Sequence, residues 1–100
     1  MMTLEEATAR VNKMAEMHSG KFGSKANFSF KEGGFIHLDD TVSPTKVTNS
    51  EADAPCKVVI SLENFEKMLS GDLNPMMAFM TGKMKIDGDK GVAMKLASLF

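Results

Sequence analysis

The sequence predicts an α+β fold, with a five-stranded, mainly antiparallel sheet covered on one face by helices. Three observations carry this expectation. The chain opens with a helical apolar period, its middle is dominated by alternating apolar runs, and from Ser61 onward helical spacing returns with one short alternating run inside it.

Thr3-Leu4-Glu5-Glu6 is a capping box, in which the threonine hydroxyl accepts from the Glu6 amide while the Glu6 carboxylate reaches back. A helix is expected over residues 4–18, because Leu4, Ala7, Val11, Met14 and Met17 or His18 recur at three and four residues, with Gly20 as a left-handed stop. Phe28 and Phe30 alternate with Asn27, Ser29 and Lys31, the period of a strand with one buried face. Gly33-Gly34 permits a tight hairpin into a return strand over residues 35–41. Lys46 to Asn49 forms a short third strand, and Cys56, Val58 and Ile60 alternate in a fourth over residues 56–61, after the breaker Pro55. Ser61 caps a helix in which Leu62, Phe65, Met68 and Leu69 share a face, ending at Gly71. Asn74 caps a single short helix with Pro75 at its first position, where the missing donor is harmless, and Gly82 closes it. Lys83-Met84-Lys85-Ile86 is the fifth strand, and a last helix over residues 90–99 places Val92, Leu96, Leu99 and Phe100 on one stripe. Since Met84 and Ile86 point opposite to Lys83 and Lys85, one sheet face should be wet and the other should meet the helices.

Residues 1–100 are expected to form a single domain around one core. Twelve basic and thirteen acidic residues leave no field that would draw the chain to nucleic acid or an anionic membrane. The longest strictly apolar run, Met76 to Met80, is far short of a bilayer span. The acidic N-terminus lacks a signal peptide's basic and apolar regions, and Cys56 is the only cysteine, so an intracellular, cytoplasmic location without disulfides is expected.

Catalytic patterns are missing. His18 and His37 lie on different elements, and Cys56 has no nearby acidic or imidazole partner in sequence to activate it. Asp39-Asp40 and the pair Asp87, Asp89 flank strand ends and turns, where aspartate ordinarily caps the chain. Gly82, Gly88 and Gly91 match neither a phosphate loop nor a dinucleotide fingerprint. Lys83, Lys85, Lys90 and Lys95 are interleaved with acidic residues and lack stacking aromatics, which makes them a solvated rim. The expectation is a protein without catalytic residues, metal or cofactor.

Six of the ten methionines and three of the seven phenylalanines lie between Ser61 and Phe100. Methionine is unbranched and polarizable and adapts to irregular apolar space, so composition alone leaves core packing and a ligand tunnel both open. The punctuation of this segment is more specific. Gly71-Asp72-Leu73-Asn74-Pro75-Met76-Met77-Ala78-Phe79-Met80-Thr81-Gly82-Lys83-Met84-Lys85-Ile86, then Gly88-Asp89 and Ala93-Met94-Lys95-Leu96, resembles the sterol carrier protein 2 family of lipid-binding domains. The resemblance is strong over the last forty residues and weaker before them.

The resemblance implies an apolar tunnel between sheet and helices for fatty acids, fatty acyl-CoA or sterol-like lipids, which such proteins carry or present unaltered. It assigns tunnel lining to Leu73, Met76, Phe79 and Met80 around the Asn-Pro helix, to Phe65 and Leu69 on the helix before it, and to Met84 on the fifth strand. Phe35 is the nearest aromatic to the tryptophan that relatives often carry in the early hairpin. Met76 stands where relatives commonly have glutamine, which favours a plain acyl chain over a polar lipid head. The chain ends at Phe100 without the peroxisomal tripeptide of eukaryotic members, implying a free-standing, bacterial-type protein. Its partners would be the lipid and transient membrane or enzyme contacts, without integral membrane association. The alternative is a protein-interaction module with a collapsed pocket; an acyl-thioester enzyme would lack nucleophile and base.

Overall fold

A computed structural model describes residues 1–100. Helix α1 (Leu4–Met17) begins at the expected box: the Glu6 N–H donates to Thr3 Oγ1 at 3.1 Å and the Thr3 N–H donates to Glu6 Oε1 at 3.0 Å. Strands β1 (Lys25–Phe30), β2 (Phe35–Asp39), β3 (Lys46–Thr48) and β4 (Cys56–Ile60) follow, then α2 (Leu62–Ser70), α3 (Pro75–Met80), β5 (Met84–Gly88) and α4 (Lys90–Ala97).

The strands form one sheet in the order β3-β2-β1-β4-β5. The central pair β1 and β4 is parallel and the other three pairings are antiparallel. The parallel pair arises because the chain leaves β3 at one edge and crosses back to the far side of β1, whereas β2 turns directly through Gly33 and Gly34, both at positive φ. Register puts Ile36, Phe28, Val58 and Ile86 side by side across four strands, and all four are buried. Helix α1 packs beside β3 and α2, α3 lies against β5, and α4 lies over β4 and β5. The helices contribute Val11, Met14, Phe65, Met68, Ala78 and Leu96 to the same core.

Gly88 shows why β5 ends where it does. It sits at φ +91 opposite Cys56, and a Cβ there would collide with the Pro55 carbonyl oxygen. Glycine therefore lets the Asp89 N–H donate to that oxygen at 2.9 Å, after which the Asp89 side chain accepts from the Val92 N–H at 3.0 Å and starts α4.

The second sheet face is not uniformly wet, which corrects the expectation from β5. Asn27 and His37 are buried on it beneath the segment before β4. The Asn27 amide donates to the Ala52 carbonyl at 2.6 Å, its Oδ1 accepts from the Ala52 N–H at 3.3 Å, and the same oxygen lies 2.7 Å from His37 Nδ1. A polar pair hidden this way must satisfy its own hydrogen bonds, and no buried side-chain polar atom lacks a partner. Asp40 is a second polar node. It accepts from the Gly20 and Gly23 amides at 2.9 and 2.7 Å and from Thr45 Oγ1 at 2.6 Å, tying the loop after α1 to the loop after β2.

Candidate functional site

The apolar space between sheet and helices is organised around Phe65. Ser61 caps α2, its Oγ accepting from the Asn64 N–H at 3.1 Å, and Glu32 of the hairpin accepts from the Leu62 N–H at 3.0 Å. So anchored, α2 presents Phe65 to the sheet with no exposed surface. Its ring lies 5.3 Å from both Phe28 and Phe30 and 5.7 Å from Phe100, while Phe100 lies 5.9 Å from Phe28. These tilted and edge contacts are the favourable geometries for aromatic pairs.

Beside this cluster runs a seam lined only by apolar side chains, with Phe28, Val58 and Met84 from the sheet and Met68, Leu96 and Phe100 opposite. The seam retains about 10 Å³, about the space of a single water. Two larger grooves flank it. One, of about 550 Å³, runs between α1 and α2 over Met14, Met17, Leu69, Leu99 and Phe100, with Arg10, Lys13 and His18 at its rim. The other, of about 500 Å³, runs between the α2–α3 turn and α4 over Met68, Leu73, Met76, Met94 and Phe100. Either falls within the size range of small-molecule sites. Phe100 lines all three spaces.

The residues singled out from sequence divide into groups. Phe65 and Met84 are buried at the cluster and the seam, Leu69 lies in the first groove, and Leu73 and Met76 lie in the second. Phe79 is half-buried against the core but lines neither groove. Met80 is 72% exposed and lines neither. Met76 and Met80 therefore do not face Met84 across an interior space, because the buried position on α3 is Ala78. Phe35 also departs from the expectation. It pairs with Ser29 and shares the face of His37, away from Phe28 and Ile36, since successive strand residues alternate. Sequence reasoning passed over Phe28, Met68 and Phe100 as site residues, although the first lay on the alternating run of β1 and the others on the apolar stripes of α2 and the last helix.

No group of three or more His, Cys, Asp or Glu is arranged to hold a metal ion. Cys56 is buried; desolvation pushes its thiol up from the ordinary value and the Asp89 charge pushes it further, so thiolate chemistry is disfavoured. No helix is long and apolar enough to cross a membrane.

Comparison with known proteins agrees with this architecture. The family model described as "SCP-2 sterol transfer family" matches residues 3–100. Human Sterol carrier protein 2 is 41% identical over 104 residues, covering 98% of this chain and 19% of that protein. Hydroxysteroid dehydrogenase-like protein 2 of Rattus norvegicus is 44% identical over 73 residues, covering 71% of this chain and 14% of that protein. The chain thus spans less than a fifth of these curated relatives. Sterol Carrier Protein 2 Like 2 of Aedes aegypti has the same fold, with TM-score 0.79 and 21% identity over 97% of this chain and 95% of that one. Its palmitated form in solution gives TM-score 0.76 at 22% identity, over 98% and 94%.

Proposed function

Because this chain belongs to the SCP-2 sterol transfer family, we propose that it binds a single hydrophobic lipid without altering it and carries or presents that lipid inside the cell. Candidate ligands are fatty acids, fatty acyl-CoA and sterol-like molecules. The observation behind this reading is the position of Phe100, which lines both open grooves and the all-apolar seam. If that ring swings out, the grooves and seam become one path past Phe65, Leu69, Leu73, Met76 and Met84, and a guest chain occupies the volume the ring has left. Soft Met68 and Met84 side chains in the wall permit the repacking. The palmitated form of the Aedes relative makes an acyl chain the natural first probe.

The energetics are favourable without any polar contact. Each methylene withdrawn from water is worth about 0.8 kcal/mol, so a palmitoyl-length chain gains roughly 12 kcal/mol gross. Association and ordering cost at least several kcal/mol, which leaves the roughly 8 kcal/mol of micromolar affinity within reach. Because one methylene changes discrimination by only about 1–3 kcal/mol, tolerance of chain length is expected. No cofactor or catalytic residue is required, and contacts with a membrane or a lipid-consuming enzyme would be transient.

The test is native mass spectrometry of the purified protein, followed by titration of the delipidated protein with a fluorescent fatty acid. An extrinsic probe is needed because the chain has neither Trp nor Tyr. Copurified lipid and saturable, competable binding support the carrier. A second reading, a protein-interaction module, draws on the exposure of Met76, Met77 and Met80 at 50, 53 and 72%. A folded protein that is empty and binds no probe would exclude the carrier and favour the module.

A further inference from the structure

Residues 10, 13, 14, 17 and 18 recur at the spacing of one helix face, and α1 accordingly turns Arg10, Lys13, Met14, Met17 and His18 toward the groove of about 550 Å³. The groove is apolar along its floor and basic along this rim. No aspartate or glutamate side chain lines it, although the chain as a whole carries a net charge of −1. Arg10 and Lys13 are also uncommitted: the two ion pairs of the structure join Lys57 to Glu51 and Lys67 to Glu63. Glu16, the next carboxylate along α1, lines a separate cleft with Asn12 and Thr45.

We infer that this groove seats the anionic head of a single-chain amphiphile, a fatty carboxylate or fatty phosphate ester, with Arg10 and Lys13 holding the head and Met14, Met17 and Leu69 receiving the first methylenes. The inference deepens the lipid-carrier reading and rests on it. Arginine offers a planar fork that matches two oxygens of one anion, and lysine adds a mobile point charge beside it. Both sit on a solvated rim, so their attraction is screened by salt. The chain end then points toward Phe100, the wall shared with the seam.

Laurate, dodecanol and inorganic phosphate are titrated against the delipidated full chain and its Arg10→Gln/Lys13→Gln variant, at low and high salt, by displacement of a neutral fluorescent lipid. Both positions are exposed and glutamine keeps helix propensity, and circular dichroism verifies the fold. The expected result is that the variant loses about tenfold or more in laurate affinity, the equivalent of one charged contact. Dodecanol should bind both proteins alike, high salt should weaken only laurate, and phosphate alone should not displace the probe. Equal laurate affinity in variant and parent overturns the head-group assignment and leaves the carrier standing. Displacement by phosphate overturns the amphiphile in favour of a free-anion site. If the neutral fluorescent lipid itself does not bind the folded, delipidated parent, the carrier reading falls as well.

Discussion

Phe100 stands edge-on to Phe65, with ring centroids 5.7 Å apart and planes inclined at 78°. The same Phe100 ring meets Phe28 at 5.9 Å and 74°. One half-buried side chain therefore packs on two buried aromatics, and the same residue lines the seam and both grooves.

Each such aromatic pair is worth about 0.5–1.5 kcal/mol, so the two contacts are a modest barrier to opening. In Phe100→Ala the release of a bound fluorescent fatty acid, followed by stopped-flow transfer to vesicles, should accelerate about tenfold, a change of roughly 1.4 kcal/mol. A rate equal to the parent's would mean that the ring does not gate the path.

Phe65 carries more of the fold. It is fully buried among Phe28, Phe30 and Phe100, and truncation leaves a cavity the neighbours cannot fill. Phe65→Ala is expected to lose about 3–5 kcal/mol in urea denaturation. A smaller loss with added fatty acid would show that ligand occupies the vacated space.

Asp40 sets an acid limb of stability. Burial pushes its carboxyl up, but the Gly23 amide, the Thr45 hydroxyl and the Gly20 and Phe22 amides together outweigh that and hold it below its ordinary value of 3.8. A carboxyl lowered in the folded state binds protons more readily when unfolded, so its contribution is full above the ordinary value and is lost as pH falls through the folded one. Thermal melts of the parent should decline below about pH 4, and Asp40→Asn should lower stability at neutral pH while flattening that decline. An unchanged slope would assign acid sensitivity to other groups.

Asn27 lies across the sheet from the proposed site. Asn27→Ala removes the partner of His37 Nδ1 and both bonds to the exposed Ala52, leaving the buried His37 nitrogen unsatisfied at about 1–3 kcal/mol. Chemical denaturation should register that loss and the Ala52 amide should exchange faster, while fatty acid affinity of the folded protein stays unchanged. Weakened affinity would indicate that the two faces are coupled.

Met80 offers the complementary control. At 72% exposure it touches neither groove, so Met80→Glu should leave lipid affinity within experimental scatter in a displacement titration. A clear loss would bring α3 back into the binding path.

Local order was legible because its causes are local. The capping box at Thr3, the glycines of the hairpin, Asn74-Pro75 and the alternation of Met84 and Ile86 each act over a few residues, and each element formed where those signals stood. The site was less legible. Met76, Met80 and Phe35 are apolar in sequence, yet α3 buries Ala78 and β2 buries Ile36. In a helix of six residues, pattern alone does not say which side meets the sheet.

By itself, the sequence determined the α+β class, the five strands, the helix starts and a family likeness, since period, caps and turns are short-range, whereas the last helix ends at Ala97 and not at the expected residue 99. Tertiary structure alone decided the parallel pairing of β1 with β4, the burial of Asn27 and His37 on the second face, and the convergence of Phe28, Phe65 and Phe100. Those contacts join residues far apart in the chain. Their identity depends on how whole elements cross and pack, and no local pattern encodes it.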